Sequence, residues 1–177
     1  MARYKIPGVT ICDSAKIFGI EKIRFGADTY VDHYSIIYAN APMSIGRNVY
    51  VASFSFISGA VEVEIGDYAG LFQGCRIYAG AEDLKDWGFG NPTIPDKFRN
   101  AKRAPVRIGR FATIGANSVV LPGVSIGEGA TVGANSVVTR DLAPWAVYIG
   151  NRKVGERNRK GLMENYERYM AEMKTRE

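Results

Sequence analysis

The sequence predicts an all-β solenoid, a parallel β-helix of triangular coils, with one long inserted loop and a C-terminal α-helix. Three observations predict this fold class. A six-residue repeat begins each unit with an aliphatic residue, the repeat is interrupted once by a segment rich in proline and aromatic residues, and the charged C-terminal segment carries apolar residues at helical spacing. Self-similarity at a short fixed period is typical of repeat architectures.

The repeat is clearest in the C-terminal half of the chain. From Ile108 onward, six consecutive hexads each begin with Ile or Val, and the fifth position is small or β-branched in five of them. The same frame extends upstream to Ile11, with three hexads to a coil and an eight-residue step at one corner of the early coils. We count six coils, at residues 11–21, 25–41, 45–61, 65–82, 108–123 and 126–142.

The hexad also predicts where each side chain points. The aliphatic first position should face inward and stack on its equivalent one coil away, while the small fifth position lets the chain turn a corner. Glycine is frequent at the second position, where it tolerates corner dihedral angles that a Cβ would resist. A β-sandwich is the alternative fold, but its strands recur about every 8–12 residues rather than every six.

One long loop interrupts the solenoid between Glu82 and Val106. A loop of this length is usually functional or disordered, and its aromatic residues argue against disorder. Trp87 either stacks on a sugar or nucleobase or anchors the loop on the solenoid wall, and the sequence leaves both open. We therefore predict a solenoid over residues 1–154 with an active-site loop at 82–106.

The remaining segment, residues 155–177, predicts an amphipathic helix because its apolar residues recur every three or four positions. We expect this apolar stripe to pack on the side of the solenoid or on a partner subunit. The stripe consists of Leu162, Met163, Tyr166, Tyr169, Met170 and Met173.

Composition excludes several classes of function. Two distant cysteines and one histidine exclude a disulfide framework and a zinc site of several histidines, as in the γ-class carbonic anhydrases, so no metal is expected. No apolar run approaches the roughly 20 residues of a membrane span, and no signal peptide opens the chain, so we expect a cytoplasmic protein. The net charge of +5 suggests a phosphorylated ligand but is too small to indicate nucleic acid.

The segment from Ile108 to Val154, which contains IGANSVVLPGVSIGEGATVGANSVV and GNRKV, resembles the C-terminal signature of the hexapeptide-repeat acyltransferases, in their sugar O- or N-acetyltransferase branch. The loop sequence NPTIP at 91–95 resembles the branch that acts on bacterial polysaccharide sugars and nucleotide-linked amino sugars. The resemblance implies a left-handed helix, acetyl-CoA as acyl donor, and a homotrimer with grooves between subunits. It also implies that the loop leans over a neighbouring subunit and lines the active site.

The resemblance further implies which residues bind CoA. Two are the small residues that follow glycine on consecutive coils, and the others form a polar and basic set at the end of the solenoid. In this sequence they are Ala116, Ala134, Thr139, Arg140, Lys153 and Arg157. The three cations suit the anionic phosphates of CoA.

The catalytic base is where this sequence departs from the family. Many members carry a histidine a few residues past the last hexad before the loop, and that position is Glu82 here, followed by Asp83. We predict that Glu82, assisted by Asp83, accepts the proton, with a pKa raised toward neutrality. His33, an outward residue of the second coil, is the alternative base. Trp87 and Tyr50 are the predicted substrate contacts.

The function predicted from these residues is acetyl transfer from acetyl-CoA to a bacterial sugar, by direct attack on the thioester. Loss of the usual histidine favours an amino sugar, because a neutral amine is already nucleophilic whereas a hydroxyl must lose a proton during attack. An O-acetyltransferase and a non-catalytic scaffold remain the alternatives.

Overall fold

The computed structural model describes residues 4–175, and it confirms the predicted fold class, a left-handed parallel β-helix followed by an α-helix. The strands stack into three sheets that we call faces A, B and C, in the order in which each coil visits them. Face A contains Val9–Ile11, Thr29–Val31, Tyr50–Val51, Gly70–Leu71, Thr113–Ile114, Thr131–Val132, Ala146–Ile149 and the antiparallel Arg152–Glu156. Face B contains Lys16–Phe18, Ile36–Ala39, Phe56–Gly59, Arg76–Tyr78, Val119–Val120 and Val137–Val138. Face C contains Ile23–Phe25, Met43–Ile45, Val63–Ile65, Val106–Ile108 and Ser125–Ile126.

The strands pair in register from coil to coil, which aligns the first residues of the hexads. On face A, Ile11 pairs with Val31 and Val31 with Val51, a period of 20 residues. Later coils are shorter, and Ile114 pairs with Val132. These aliphatic residues are buried in one continuous core, as the hexad pattern predicted.

The sequence suggested that glycine at the second hexad position supplies corner dihedral angles. After the strands of face C, it has a different role. A Cβ on Gly66 would lie 2.6 Å from the amide nitrogen of Arg110, although the φ angle of Gly66 is not positive. Glycine is therefore needed here because successive coils approach closely. The left-handed corner conformations fall partly on other residues, including Tyr34 and Phe54 with φ angles of 59° and 62°.

The inserted loop leaves the solenoid at the corner between faces B and C. Its base is closed by an antiparallel pair of short strands, Gly80–Ala81 and Lys102–Arg103, and it contains a turn of 3-10 helix at Asp96–Phe98. A second 3-10 turn, Ile20–Lys22, occupies the same corner on the first coil. The loop is therefore an enlarged corner of the fourth coil.

The C-terminal helix spans Arg159–Lys174 and begins at Asn158, whose side chain accepts a hydrogen bond from the Gly161 amide. Tyr166 packs edge-on against Tyr68 and Phe111, at the corner between faces C and A. The apolar stripe thus packs on the solenoid of its own chain. Residues 176–177 of the predicted segment lie outside the described residues, and within 4–175 no helix is both long and apolar enough to cross a bilayer.

Candidate active site

The predicted site residues lie on two different edges of the triangular solenoid. Edge AB, the corner between faces A and B, carries Ala116 and Ala134 on consecutive coils. His33 lies on the same edge, three coils nearer the N-terminus than Ala116, a separation of roughly 14 Å at the strand spacing of a sheet. Glu82 and Trp87 lie instead beyond face B, on edge BC, where the loop begins. A single chain therefore does not bring the predicted CoA contacts and the loop together.

Polar contacts hold Thr139 and Arg140 at the C-terminal end of face B, whereas Lys153 lies on the antiparallel strand of face A. The Asn151 side-chain oxygen accepts the Thr139 amide at 2.9 Å, and its nitrogen donates to the Thr139 hydroxyl at 2.7 Å. Arg140 donates to the Asn151 carbonyl at 2.9 Å. Lys153 forms an ion pair with Glu156, and the hydrogen bond in that pair raises the pKa of Lys153. Sequence reasoning missed Asn151, although it occupies the GNRKV segment that the family resemblance identified.

Arg157 lies apart from this group, and the structure gives its guanidinium a packing role in place of a position beside the other predicted CoA contacts. Its guanidinium donates to the Phe111 carbonyl at 2.6 Å and to the Gly129 carbonyl at 3.1 Å, both on the corner between faces C and A. Burial lowers the pKa of Arg157. This side chain ties the C-terminal segment to the solenoid, on the edge opposite face B.

The geometry contradicts the raised pKa that we predicted for Glu82 as a catalytic base. Both oxygens of its carboxylate accept hydrogen bonds from Arg99, which also pairs with Asp96 at 2.7 Å. The Arg99 guanidinium holds the pKa of Glu82 below its ordinary value. A base needs a pKa near the working pH, and the ion pair shifts this carboxylate in the other direction.

Asp83 organises the loop rather than assisting a base. Its carboxylate accepts the backbone amides of Lys85 at 3.0 Å, Asp86 at 2.8 Å and Gly88 at 2.9 Å, and the side-chain amide of Asn100 at 3.2 Å. These donors hold the pKa of Asp83 far below its ordinary value. Asp83 is itself buried, so the carboxylate acts as the internal anchor of the loop.

His33 and Tyr50 belong to a polar network on edge AB. The Asp32 carboxylate accepts the Tyr50 hydroxyl at 3.0 Å, the Ser53 hydroxyl at 2.8 Å and the His33 amide at 2.7 Å. The His33 ring is exposed, and its Nδ1 lies 2.7 Å from the Ser14 hydroxyl. Burial and the bond to Asp32 raise the pKa of Tyr50. No short sequence motif reveals this network, because its members come from three successive coils.

The loop covers a cleft of about 610 Å³ against the outer side of face B. Phe56, Tyr78, Arg99 and Arg103 contribute to its walls, so it offers both aromatic rings and cations. Trp87 is 65% exposed, so its ring is not anchored on the solenoid wall of its own chain. A larger groove of about 780 Å³ follows face C, and none of the predicted site residues is among the described residues that line it.

Face B presents an apolar surface between the two edges. Phe18 stacks on Tyr38 with ring centroids 4.4 Å apart, and the series continues through Phe56 to Tyr78 at 5.9 and 5.6 Å. Exposed Val137 extends this surface onto the last coil. Phe18 and Tyr38 are exposed, and Phe56 and Tyr78 are half-buried. A contiguous apolar surface of this kind typically marks a protein contact.

Comparison with known proteins identifies the family. Residues 105–140 match the family model described as bacterial transferase hexapeptide (six repeats). The chain is 32% identical over 155 residues to dTDP-4-amino-4,6-dideoxy-D-glucose acyltransferase of Escherichia coli, covering 86% of this chain and 81% of that protein. The chain belongs to the hexapeptide-repeat sugar acyltransferases.

Solved structures agree with the assignment of this chain to the sugar acyltransferases. AntD, an N-acyltransferase from Bacillus cereus crystallised with dTDP and 3-hydroxybutyryl-CoA, superimposes with a TM-score of 0.89 at 30% identity, over 95% of this chain and 89% of AntD. Nodulation protein L of Rhizobium meliloti (strain 1021) is 39% identical over 111 residues, which are 62% of this chain and 56% of that protein. The fold and the sequence relationship therefore extend over nearly the whole acyltransferase.

Proposed function

We propose that the acyltransferase transfers the acetyl group of acetyl-CoA to the amino group of a nucleotide-linked 4-amino-4,6-dideoxy sugar. The observation that carries this proposal is the near full-length similarity to the Escherichia coli amino-sugar acyltransferase. The crystal structure of a point mutant of AntD in complex with dTDP-4-amino-4,6-dideoxyglucose and coenzyme A supports it. The proposal places the reaction in the cytoplasm, where CoA thioesters are made.

The state of the two loop carboxylates favours an amine acceptor over a hydroxyl. A hydroxyl needs a base during attack. The carboxylate oxygens of Glu82 and Asp83 are engaged in structural hydrogen bonds, and their lowered pKa makes both groups weak bases. A neutral amine attacks the thioester carbonyl directly, so that the C–N bond forms and the C–S bond breaks. The proton released from nitrogen can be taken by the departing CoA thiolate, since a thiol has an ordinary pKa of about 8.5.

The proposed enzyme is a homotrimer in which face B of each chain faces the threefold axis. This orientation buries Phe18 and Tyr38 between subunits, while Phe56 and Tyr78 face the cleft beneath the loop. It also sets edge AB of one subunit beside edge BC of the next, because the two edges border the same face. The donor residues of one chain and the loop of its neighbour then form one site, as closed cyclic symmetry permits.

Within this shared site, the CoA arm follows edge AB past Ala116 and Ala134 toward Thr139, Arg140 and Lys153. The two cations stand at the end of the solenoid, where they can meet the phosphates. The acceptor occupies the cleft beneath the neighbouring loop, with Trp87 available for stacking on its sugar or base and Tyr50 on the opposing edge. The assignment of the two cations can be tested directly by measuring acetyl-CoA binding.

Replacing Arg140 or Lys153 by alanine should weaken acetyl-CoA binding about 2- to 5-fold each, the size expected for exposed charge pairs. The double variant should lose about 10-fold, because both cations act on the same phosphates. Calorimetric titration measures the effect, and Lys160→Ala, an exposed cation of the C-terminal helix, is the matched control. Unchanged affinity in the double variant would show that these cations are ordinary surface charges.

The test of the proposed function is acyl transfer to a defined acceptor, followed through release of the CoA thiol. We expect turnover with dTDP-4-amino-4,6-dideoxyglucose, and a rate at least about 10²-fold lower with the counterpart that has a hydroxyl at carbon 4. Equal rates for the two acceptors would support O-acetylation instead. Absence of turnover with the amino sugar would exclude the proposed substrate.

A further inference from the structure

The first two coils bring three metal-ligating side chains together on edge AB. One ligand atom each of Cys12, Asp32 and His33 lies within 4.8 Å of the other two. The Cys12 sulfur is 3.8 Å from the nearer Asp32 oxygen. Cys12 and Asp32 follow strands that pair in register one coil apart, so the 20-residue period places these residues side by side.

We propose that this cluster binds a divalent transition-metal ion, Zn²⁺ by preference, through the Cys12 thiolate, the Asp32 carboxylate and the His33 imidazole. In tetrahedral zinc sites with bonds of about 2.0–2.3 Å, ligand atoms stand about 3.3–3.5 Å from one another. The distance between Cys12 and Asp32 thus needs to contract by about 0.5 Å, and the widest separation in the cluster by up to about 1.5 Å, which an exposed histidine and a corner cysteine can accommodate. Sulfur and nitrogen donors favour zinc over magnesium or calcium.

The surroundings of the cluster orient its ligands. One Asp32 oxygen accepts hydrogen bonds from Tyr50 at 3.0 Å and Ser53 at 2.8 Å. The other oxygen faces Cys12 and accepts the His33 amide at 2.7 Å, which fixes its position beside the sulfur. Ser14 contacts one nitrogen of the His33 ring at 2.7 Å. Hydrogen bonds of this kind fix the direction of ligating carboxylates and imidazoles in metal sites.

Three protein donors leave a fourth position for water. The metal would join the first coil to the second, at the end of the stack where a coil has only one neighbour. Because each solenoid repeat contacts only its neighbours, a link between the first two coils would stabilise the end of the stack. We therefore expect zinc to raise the thermal stability of the protein, because a ligand that binds only the folded state stabilises it.

Titration of the reduced, untagged protein with Co²⁺ tests the site, because a cobalt–thiolate bond gives a near-ultraviolet charge-transfer absorption. We expect one equivalent of Co²⁺ to produce this absorption and Zn²⁺ to abolish it. Cys12→Ser should eliminate the band, and His33→Asn should weaken binding about 10-fold or more. Cys75→Ser is the matched control, since Cys75 is fully buried in the core and burial raises its pKa to about 11.

A band that survives in Cys12→Ser, or that disappears in Cys75→Ser, would overturn the proposal, as would the absence of any band in the wild-type protein. Thermal unfolding supplies a second measurement that does not depend on the folding of the cysteine variant. Zinc should raise the melting temperature of the wild-type protein and have little effect on His33→Asn, whose side chain is exposed. An equal increase in both proteins would also contradict the site.

Discussion

Replacing Asp83 by asparagine should lower the rate of acyl transfer by about 10²-fold while the solenoid stays folded. The carboxylate accepts three backbone amides and one side-chain amide within the loop, and a neutral amide cannot accept all four as well. Displacing a substrate-positioning loop by about 1 Å can cost this factor. The measurement is kcat/KM for the amino-sugar nucleotide, with circular dichroism to confirm the β-helix.

Asp86→Asn is the matched control for this variant, because it makes the same chemical change on an exposed side chain of the same loop. It should change kcat/KM less than about 2-fold, as surface substitutions usually do.

The low pKa of Asp83 determines how the order of the loop depends on pH. The contribution of its carboxylate is complete above the ordinary pKa of about 3.9 and is lost as the pH falls toward the lower folded-state pKa. Loss of loop order already at pH 5 to 6 would contradict this account.

Tyr38→Glu should convert the proposed trimer to monomers and reduce turnover by about 10²-fold or more, because a shared site needs its neighbour. The substitution places a charge in the middle of the aromatic series on face B. Charged groups are depleted from the cores of subunit interfaces because they lose hydration there. Sedimentation equilibrium and the thiol-release assay measure the two effects on one sample.

Tyr169→Glu is the control for Tyr38→Glu, since Tyr169 is 37% exposed and Tyr38 36%, and Tyr169 lies on the C-terminal helix. It should leave both assembly and turnover intact. A wild-type monomer at micromolar concentration would refute the trimer, and a fully active Tyr38→Glu monomer would refute the shared site. Either result would indicate that the acceptor site is formed within a single chain.

The sequence was sufficient to predict the fold class, because the hexad spacing follows directly from the geometry of a coil. The count of six coils was one short, since the strand Ala146–Ile149 adds a seventh parallel strand to face A. Each first-position aliphatic, such as Ile57 or Ile77, has to be buried in every coil, so the period survives along the chain. The glycines were harder to interpret. Two different requirements select glycine: a close approach between coils, as at Gly66, and a left-handed backbone angle at a corner. The sequence alone does not distinguish them.

The site was predicted less well, because counting hexads places a residue on an edge without revealing its partners. Glu82 lies at the start of the loop as expected, but its partner Arg99 is 17 residues away and determines its pKa. Arg157 similarly follows the predicted basic segment but turns toward the opposite corner. The cluster of Cys12 with Asp32 was missed because metal motifs are sought within one segment, whereas a solenoid brings together residues one coil apart.

The central claim is that one active site combines edge AB of one subunit with the loop of the next. Co-expression of two inactive variants tests it most directly. Ala134→Trp should block the donor edge at an exposed position, and Asp83→Asn should disable the loop. Each variant alone should be nearly inactive. Random trimers of the two should recover about a quarter of wild-type activity, because half of the donor edges and half of the loops are intact and each pairs with a neighbour. If the site lay within one chain, no subunit of the mixed trimers would carry both intact parts, and activity at the level of the separate variants would contradict the account.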